Sequence, residues 1–95
     1  MKPHVRFEWD EVKRRSNVWR HGIDFAEVVE AFDSEPLTYL DERFDYGEKR
    51  FRTFSLFKGR VVVIAHTQNE DVVRIISARW ASRNEESTYF KEIWN

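Results

Sequence analysis

Lys13, Asn17 and His21 recur at i, i+4 and i+8 in a stretch that reads as helix, so a cation, an amide and an imidazole share one face. Such a face can line a nucleic-acid groove, or it can simply be solvated, with His21 near the helix C-terminus meeting the helix dipole. Glu48, Arg50 and Arg52 share parity and project to one side of a regular strand. A carboxylate beside an arginine holds the guanidinium rigid, and a rigid guanidinium suits the charge of a phosphoryl transition state. The bland alternative is a surface ion pair worth about 0–1 kcal/mol. Arg74 and Arg79 are five apart, so an unbroken strand sends them to opposite faces. They reach one site only if a bulge intervenes or Arg79 lies beyond the strand end. Arg79 stands just before a helix start, where free backbone N–H groups favour anions, and therefore ranks above Arg74. Trp80 can stack on a base, although a Trp in that position more often caps a core.

Other chemistries lack their parts. His4, His21 and His66 do not have metal-ligand spacing, no HxH or HExxH pattern occurs, and there is no cysteine to supply a thiolate. No metal site is expected and no cofactor is called for. There is no Gly-rich phosphate loop and no GxSxG elbow. His66 ends an apolar run and reads as a satisfied core or edge histidine.

The elements that must carry these residues are legible in outline. Val5, Phe7 and Trp9 alternate with Arg6 and Glu8 over residues 5–9, the pattern of a short strand. Asp10 is positioned to cap a helix running to about His21, and Gly22 to end it. Val12, Trp19 and Ile23 mark the side of that helix expected to be buried. Asp24 opens a second helix with Glu27 reaching back to close a capping box, and with Phe25, Val28, Val29 and Phe32 as its apolar stripe. Beyond Pro36, extended stretches are expected over Leu37–Asp41, Arg50–Phe57, Val61–Thr67 and Val72–Arg79. Turns are expected at Lys58-Gly59 and across Gln68-Asn69-Glu70-Asp71. Ser82 and Glu85 then form a capping box for a closing helix whose Tyr89, Phe90 and Ile93 point inward. The order β-α-α-β-β-β-β-α is an α+β pattern, with a mostly antiparallel curved sheet packed against helices.

Composition sets the bounds. With 95 residues, no linker and no repeat, the chain is read as one domain over residues 1–95. A domain this size buries about 60–65% of the surface that its unfolded chain exposes. The 16% aromatic content means that a few large rings supply much of that burial. Neither an apolar run of membrane-spanning length nor an apolar signal core near Met1 is present, so a cytoplasmic protein with no membrane partner is expected. The net charge of −1 argues against a nucleic-acid binder, but it averages two unlike segments. Residues 24–48 carry nine acidic groups and only Arg43 as a base, whereas residues 49–95 carry nine basic and five acidic groups. A local positive surface is therefore open to this chain.

Three separated blocks carry a resemblance: Trp9-Asp10-x-x-Lys13-x-x-x-Asn17-x-x-x-His21-Gly22-Ile23-x-Phe25, then Gly47-Glu48-x-Arg50, then Arg74-Ile75-Ile76-Ser77-Ala78-Arg79-x-Ala81-x-x-x-Glu85 leading to Tyr89. Together, from about Phe7 to Tyr89, they resemble the BrnT family of toxins. Arg20, where the family often has Lys, and Val28, where it often has Ala, are modest departures. The resemblance implies a RelE/ParE-like toxin fold, cleavage of RNA that stalls translation, and a BrnA-type antitoxin as partner. That antitoxin is expected to carry a dimeric DNA-binding module, so that operator DNA is met only through it.

RNA can be cut without metal when its own 2′-hydroxyl attacks the adjacent phosphate. That reaction needs a base, positive charge around the phosphorane and a proton for the leaving oxygen. On this reading Glu48 or His21 is the base, Arg79 and Arg50 stabilise charge, and Lys13 or His21 gives the proton, while Arg52, Arg74 and Trp80 contact RNA. Which group takes which role is open at this level. The alternative is a non-catalytic module whose basic face only binds nucleic acid or an acidic protein segment.

Overall fold

The computed structural model describes residues 5–95; His4, and the chain start read above as lacking a signal core, lie outside them. The chain forms strand β1 (Arg6–Trp9), helix α1 (Glu11–His21), a single turn α2 (Phe25–Val28) that tightens into a 3-10 helix over Val29–Asp33, then strands β2 (Leu37–Asp41), β3 (Arg50–Phe57), β4 (Arg60–Asn69) and β5 (Val72–Trp80), and helix α3 (Arg83–Trp94). This is an α+β fold around one mixed five-stranded sheet of order β1-β5-β4-β3-β2. β1 runs parallel to β5 and every other pair is antiparallel. None of the described helices is long and apolar enough to cross a membrane.

Local chemistry explains the helix ends. The Asp10 carboxylate accepts from the N–H groups of Val12 and Lys13, and Gly22, at φ 71°, ends α1 with its N–H on the Val18 carbonyl. At α3, Ser82 and Glu85 close a full capping box. Lys58 and Gly59 both take positive φ, 51° and 75°, as a primed two-residue turn between β3 and β4 requires.

The second helix departs from expectation. Asp24 does cap it, accepting from Ala26 N–H at 2.9 Å, but the carboxylate of Glu27 turns outward to Lys58 (3.2 Å) and does not complete a box. After one turn the backbone tightens. The Ala31 carbonyl accepts from the Ser34 N–H and from the Ser55 hydroxyl on β3, so the sheet takes over a group that a longer α-helix would have kept for itself.

α1 also corrects its sequence reading. Val12 and Trp19, expected to be buried, are 67% and 88% exposed, while the polar Asn17 is 5% exposed and Ile23 is buried. The cause lies in the sheet. β1 covers the edge of β5 only as far as Ile75, and β5 continues to Trp80 with unpaired backbone. The Asn17 side chain takes the place of the missing strand. Its Oδ1 accepts from Ala78 N–H at 3.1 Å, and its Nδ2 donates to the carbonyls of Ala78 and Ile23 at 2.9 Å each. An unpaired buried backbone pair costs more than the exposure of an indole, so the helix turns its amide inward.

The main core cluster occupies one face of the sheet. Val62, Ile64, Val73, Ile75 and Ala78 pack there beneath Ile23, Phe25, Val28, Ala31 and Phe32, with Phe7, Trp9 and Trp80 at the margins. His66 is fully buried on this face, 2.7 Å from Thr53 Oγ1 and edge-on to Phe32, which makes it the satisfied core histidine expected. α3 lies toward the other face, held by Tyr89, whose hydroxyl donates to the Glu35 carbonyl at 2.7 Å.

Candidate functional site

Opposite the core, the sheet presents a row of arginines, and a single inserted residue makes the row possible. Ala65 pairs with Ser77 and His66 with Ile75, which leaves Ile76 without a partner on β4. This β-bulge reverses the alternation of β5. Arg74 pairs with Thr67, Ser77 with Ala65 and Arg79 with Val63, and these β4 residues share one face. Arg74 and Arg79 therefore project to the same side, the first of the two conditions under which both could serve one site. On β3, Arg52 and Phe54 pair with Ala65 and Val63, so Arg50, Arg52 and Phe54 join that face.

Glu48 ties the near end of the row together. Arg74 Nη2 donates to both of its oxygens at 2.8 Å and Arg50 Nε to one at 3.2 Å. Arg50 first and Arg74 with it hold the Glu48 carboxyl below the usual carboxylate range. The Arg50 guanidinium also lies 4.3 Å from the centre of the Tyr46 ring. Tyr46 donates to Asp41, and Asp41 takes a paired contact from Arg43 at 2.8 Å for each oxygen. Sequence reasoning missed this Asp41-Arg43-Tyr46 cluster, and the i, i+2 spacing of Asp41 and Arg43 was its one signal.

At the far end, Arg79 makes a two-point contact with Glu85, the third residue of α3, at 2.8 and 2.9 Å. The bond to Arg79 is the main reason the Glu85 carboxyl falls to about 2, with the Ser82 N–H adding to it. The contact uses one N–H from each terminal nitrogen of Arg79. Its Nε–H and a second Nη2 N–H carry no hydrogen bond within the described residues, so the group is braced and still able to donate.

Lys13 and His21 lie elsewhere. They flank a shallow groove of about 310 Å³ beyond the edge of β5, together with Ser16, Arg20, Ile76 and Ser77. No carboxylate lines this groove, and none of its cations is ion-paired among the described residues. Ser77 belongs both to the groove and to the arginine face, so the two clusters meet at β5. Trp80 is not brought to either. It lies on the core side, stacked on Phe57 at 5.9 Å and with the Arg60 guanidinium 4.0 Å from its ring centre, the core-capping role weighed against stacking on a base. Among the described residues no three His, Asp or Glu side chains converge in a way that could hold a metal ion.

A family model described as the ribonuclease toxin, BrnT, of type II toxin-antitoxin systems matches residues 9–85. No curated protein matches the chain.

Proposed function

The chain belongs to the BrnT family of ribonuclease toxins of type II toxin–antitoxin systems, and from that premise we propose that it cuts RNA without a metal, by attack of the substrate's 2′-hydroxyl, where the groove of α1 meets the arginine face of the sheet. Family membership implies an RNA target and an antitoxin partner. The observation that carries the proposed location is the bulge at Ile76, which aligns Arg74, Ser77 and Arg79 on one face and sets Ser77 against the groove of Lys13 and His21.

The residues divide the work as follows. Glu48, pulled below the ordinary carboxylate range between two guanidiniums, is a poor base and acts as the brace of Arg50 and Arg74. His21 takes the proton of the 2′-hydroxyl, because imidazole is the side chain suited to proton exchange near neutrality. The 2′-oxygen bonds to phosphorus, the bond from phosphorus to the 5′-oxygen breaks, and Lys13 gives that oxygen its proton. The products are a 2′,3′-cyclic phosphate and a 5′-hydroxyl. Arg79 meets the phosphorane charge with the N–H groups that Glu85 leaves free, Arg50 and Arg74 hold the flanking phosphates, and Arg52 contacts the RNA beside them. Lys13 and His21 stand about 12 Å apart along the helix axis at their backbones, so the long, flexible Lys13 side chain must lean toward His21 for both to reach one phosphate.

Translation inhibition, a RelE/ParE-like toxin fold and a BrnA-type antitoxin with a dimeric DNA-binding module belong to the same reading. It is tested by expressing the chain in a bacterium and mapping RNA ends by primer extension. The expected result is growth arrest with new, discrete 5′ ends, both suppressed by co-expressed antitoxin. Undisturbed growth with intact RNA would favour the binding-module alternative, to which the carboxylate pairing of Arg74 and Arg79 lends some support.

A further inference from the structure

A second cavity adjoins the arginine face. It lies between β2, β3 and the start of α3, has a volume of about 360 Å³, and is lined by Tyr39, Arg52, Phe54, Asn84, Glu85 and Thr88 among others. Tyr39 and Phe54 meet edge to face at 5.8 Å, and Tyr39 remains 44% exposed, leaving much of its surface open. Arg52 is the neighbour of Tyr39 across the strands, and its Nε is buried without a hydrogen-bond partner among the described residues. Asn84 and Thr88, four apart on α3, share a helix face and make no side-chain hydrogen bond within the described residues. Glu85 contributes to this wall and holds Arg79 from its other side.

We propose that this cavity binds one unstacked nucleobase of the RNA, next to the phosphate that Arg79 contacts. The inference rests on the function proposed above. A base has a flat π surface for Tyr39 and an edge that mixes donors with acceptors. The terminal N–H groups of Arg52 donate to an acceptor on that edge, Asn84 and Thr88 serve either kind of group, and Glu85 accepts from a base N–H. A phosphate does not fit, since the Glu85 carboxylate would repel it. Nor does an apolar side chain of a protein partner, which would cover the Arg52 guanidinium, Asn84 and Thr88 without pairing them. Because Glu85 touches both the cavity and Arg79, a bound base fixes the register of the scissile phosphate.

The test uses fluorescent 2′-O-methyl hexanucleotides, which the proposed reaction cannot cut, in an anisotropy titration of the whole protein. An abasic site is placed at each position in turn. For the wild type, one position should weaken binding about tenfold, within the usual scale for one stacked base. Tyr39→Ala should bind the intact hexamer about tenfold more weakly and lose its sensitivity to that position, while Tyr39→Phe should retain both. Asn84→Ala should flatten the preference among the four bases there. A thermal melt matching the wild type confirms that the variants fold. Equal abasic sensitivity in wild type and Tyr39→Ala would overturn the assignment, as would variants that keep their base preference but lose antitoxin binding. A wild type that binds with the expected pattern yet cuts no cleavable RNA would instead sink the catalytic reading and leave the base site standing.

Discussion

Arg79 is braced on one side by Glu85 and free on the other, and this asymmetry is what a preorganised charge stabiliser needs. Arg79→Ala should slow RNA cleavage by about 10²–10³-fold, the usual scale for removing one such donor. Lys at that position should restore only part of the rate, because a point charge cannot keep a two-point contact with Glu85 while facing a phosphate. Single-turnover cleavage rates check both, and full activity in Arg79→Ala would remove the residue from the mechanism. His66 governs a different property. Burial pushes its imidazole down to about 4, so the folded protein holds it neutral. As pH falls below the ordinary value of 6.5, the unfolded chain takes up the proton first and the folded state resists until about 4. Stability is therefore present in full above pH 6.5 and is lost between 6.5 and 4, by at most about 3 kcal/mol for a shift of this size. Urea titrations at pH 7.5, 6 and 5 should show the decline, and His66→Gln should flatten it. A wild-type stability unchanged between pH 7.5 and 5 would contradict the buried, neutral assignment.

α1 shows which elements a sequence discloses and which it does not. Its ends were legible because Asp10 and Gly22 act on backbone groups within a few residues of themselves, and the box of Ser82 and Glu85 was legible for the same reason. The buried face of α1 was not, since it is chosen by the uncovered edge of β5 more than sixty residues away. The bulge at Ile76 was hidden likewise: one extra residue between strands leaves no mark in the composition of either. The shared parity of Arg50 and Arg52 could thus be read directly, although Glu48 reaches them from a bend before β3 and not from the strand, whereas Arg74 and Arg79 could be placed on one face only as a conditional. Two substitutions test the corrected helix. Asn17→Ala should cost about 2–3 kcal/mol by leaving Ala78 N–H and two carbonyls unpaired. Trp19→Ser, despite its larger change in volume, should stay within about 0.5 kcal/mol, because the ring lies almost wholly in solvent. Chemical denaturation of the two variants side by side decides the matter, and the reverse ranking would mean that α1 is rotated from its described orientation.

As a whole molecule, the protein keeps its main apolar cluster and its row of arginines on opposite faces of one sheet. The apolar cluster under α2 and its 3-10 extension carries the burial, and the opposite face holds arginines in ion pairs that are partly exposed and add little to stability. A net charge of −1 is compatible with binding RNA because it averages an acidic segment over residues 24–48 with a basic one over residues 49–95. The proposed catalysis rests on that arrangement: fixed side-chain charges and the substrate's own 2′-hydroxyl would replace a metal-bound nucleophile, and DNA, which lacks that hydroxyl, would be spared. The most direct measurement is cleavage of a matched pair of oligoribonucleotides in excess EDTA, one of them carrying a single 2′-deoxy nucleotide at the cut site. The ribonucleotide substrate should be cut at an undiminished rate, leaving a 5′ fragment that ends in a 2′,3′-cyclic phosphate, while its 2′-deoxy partner stays intact. Cleavage that stops in EDTA and returns with magnesium or manganese, or scission of the 2′-deoxy substrate at the same position, would contradict the mechanism.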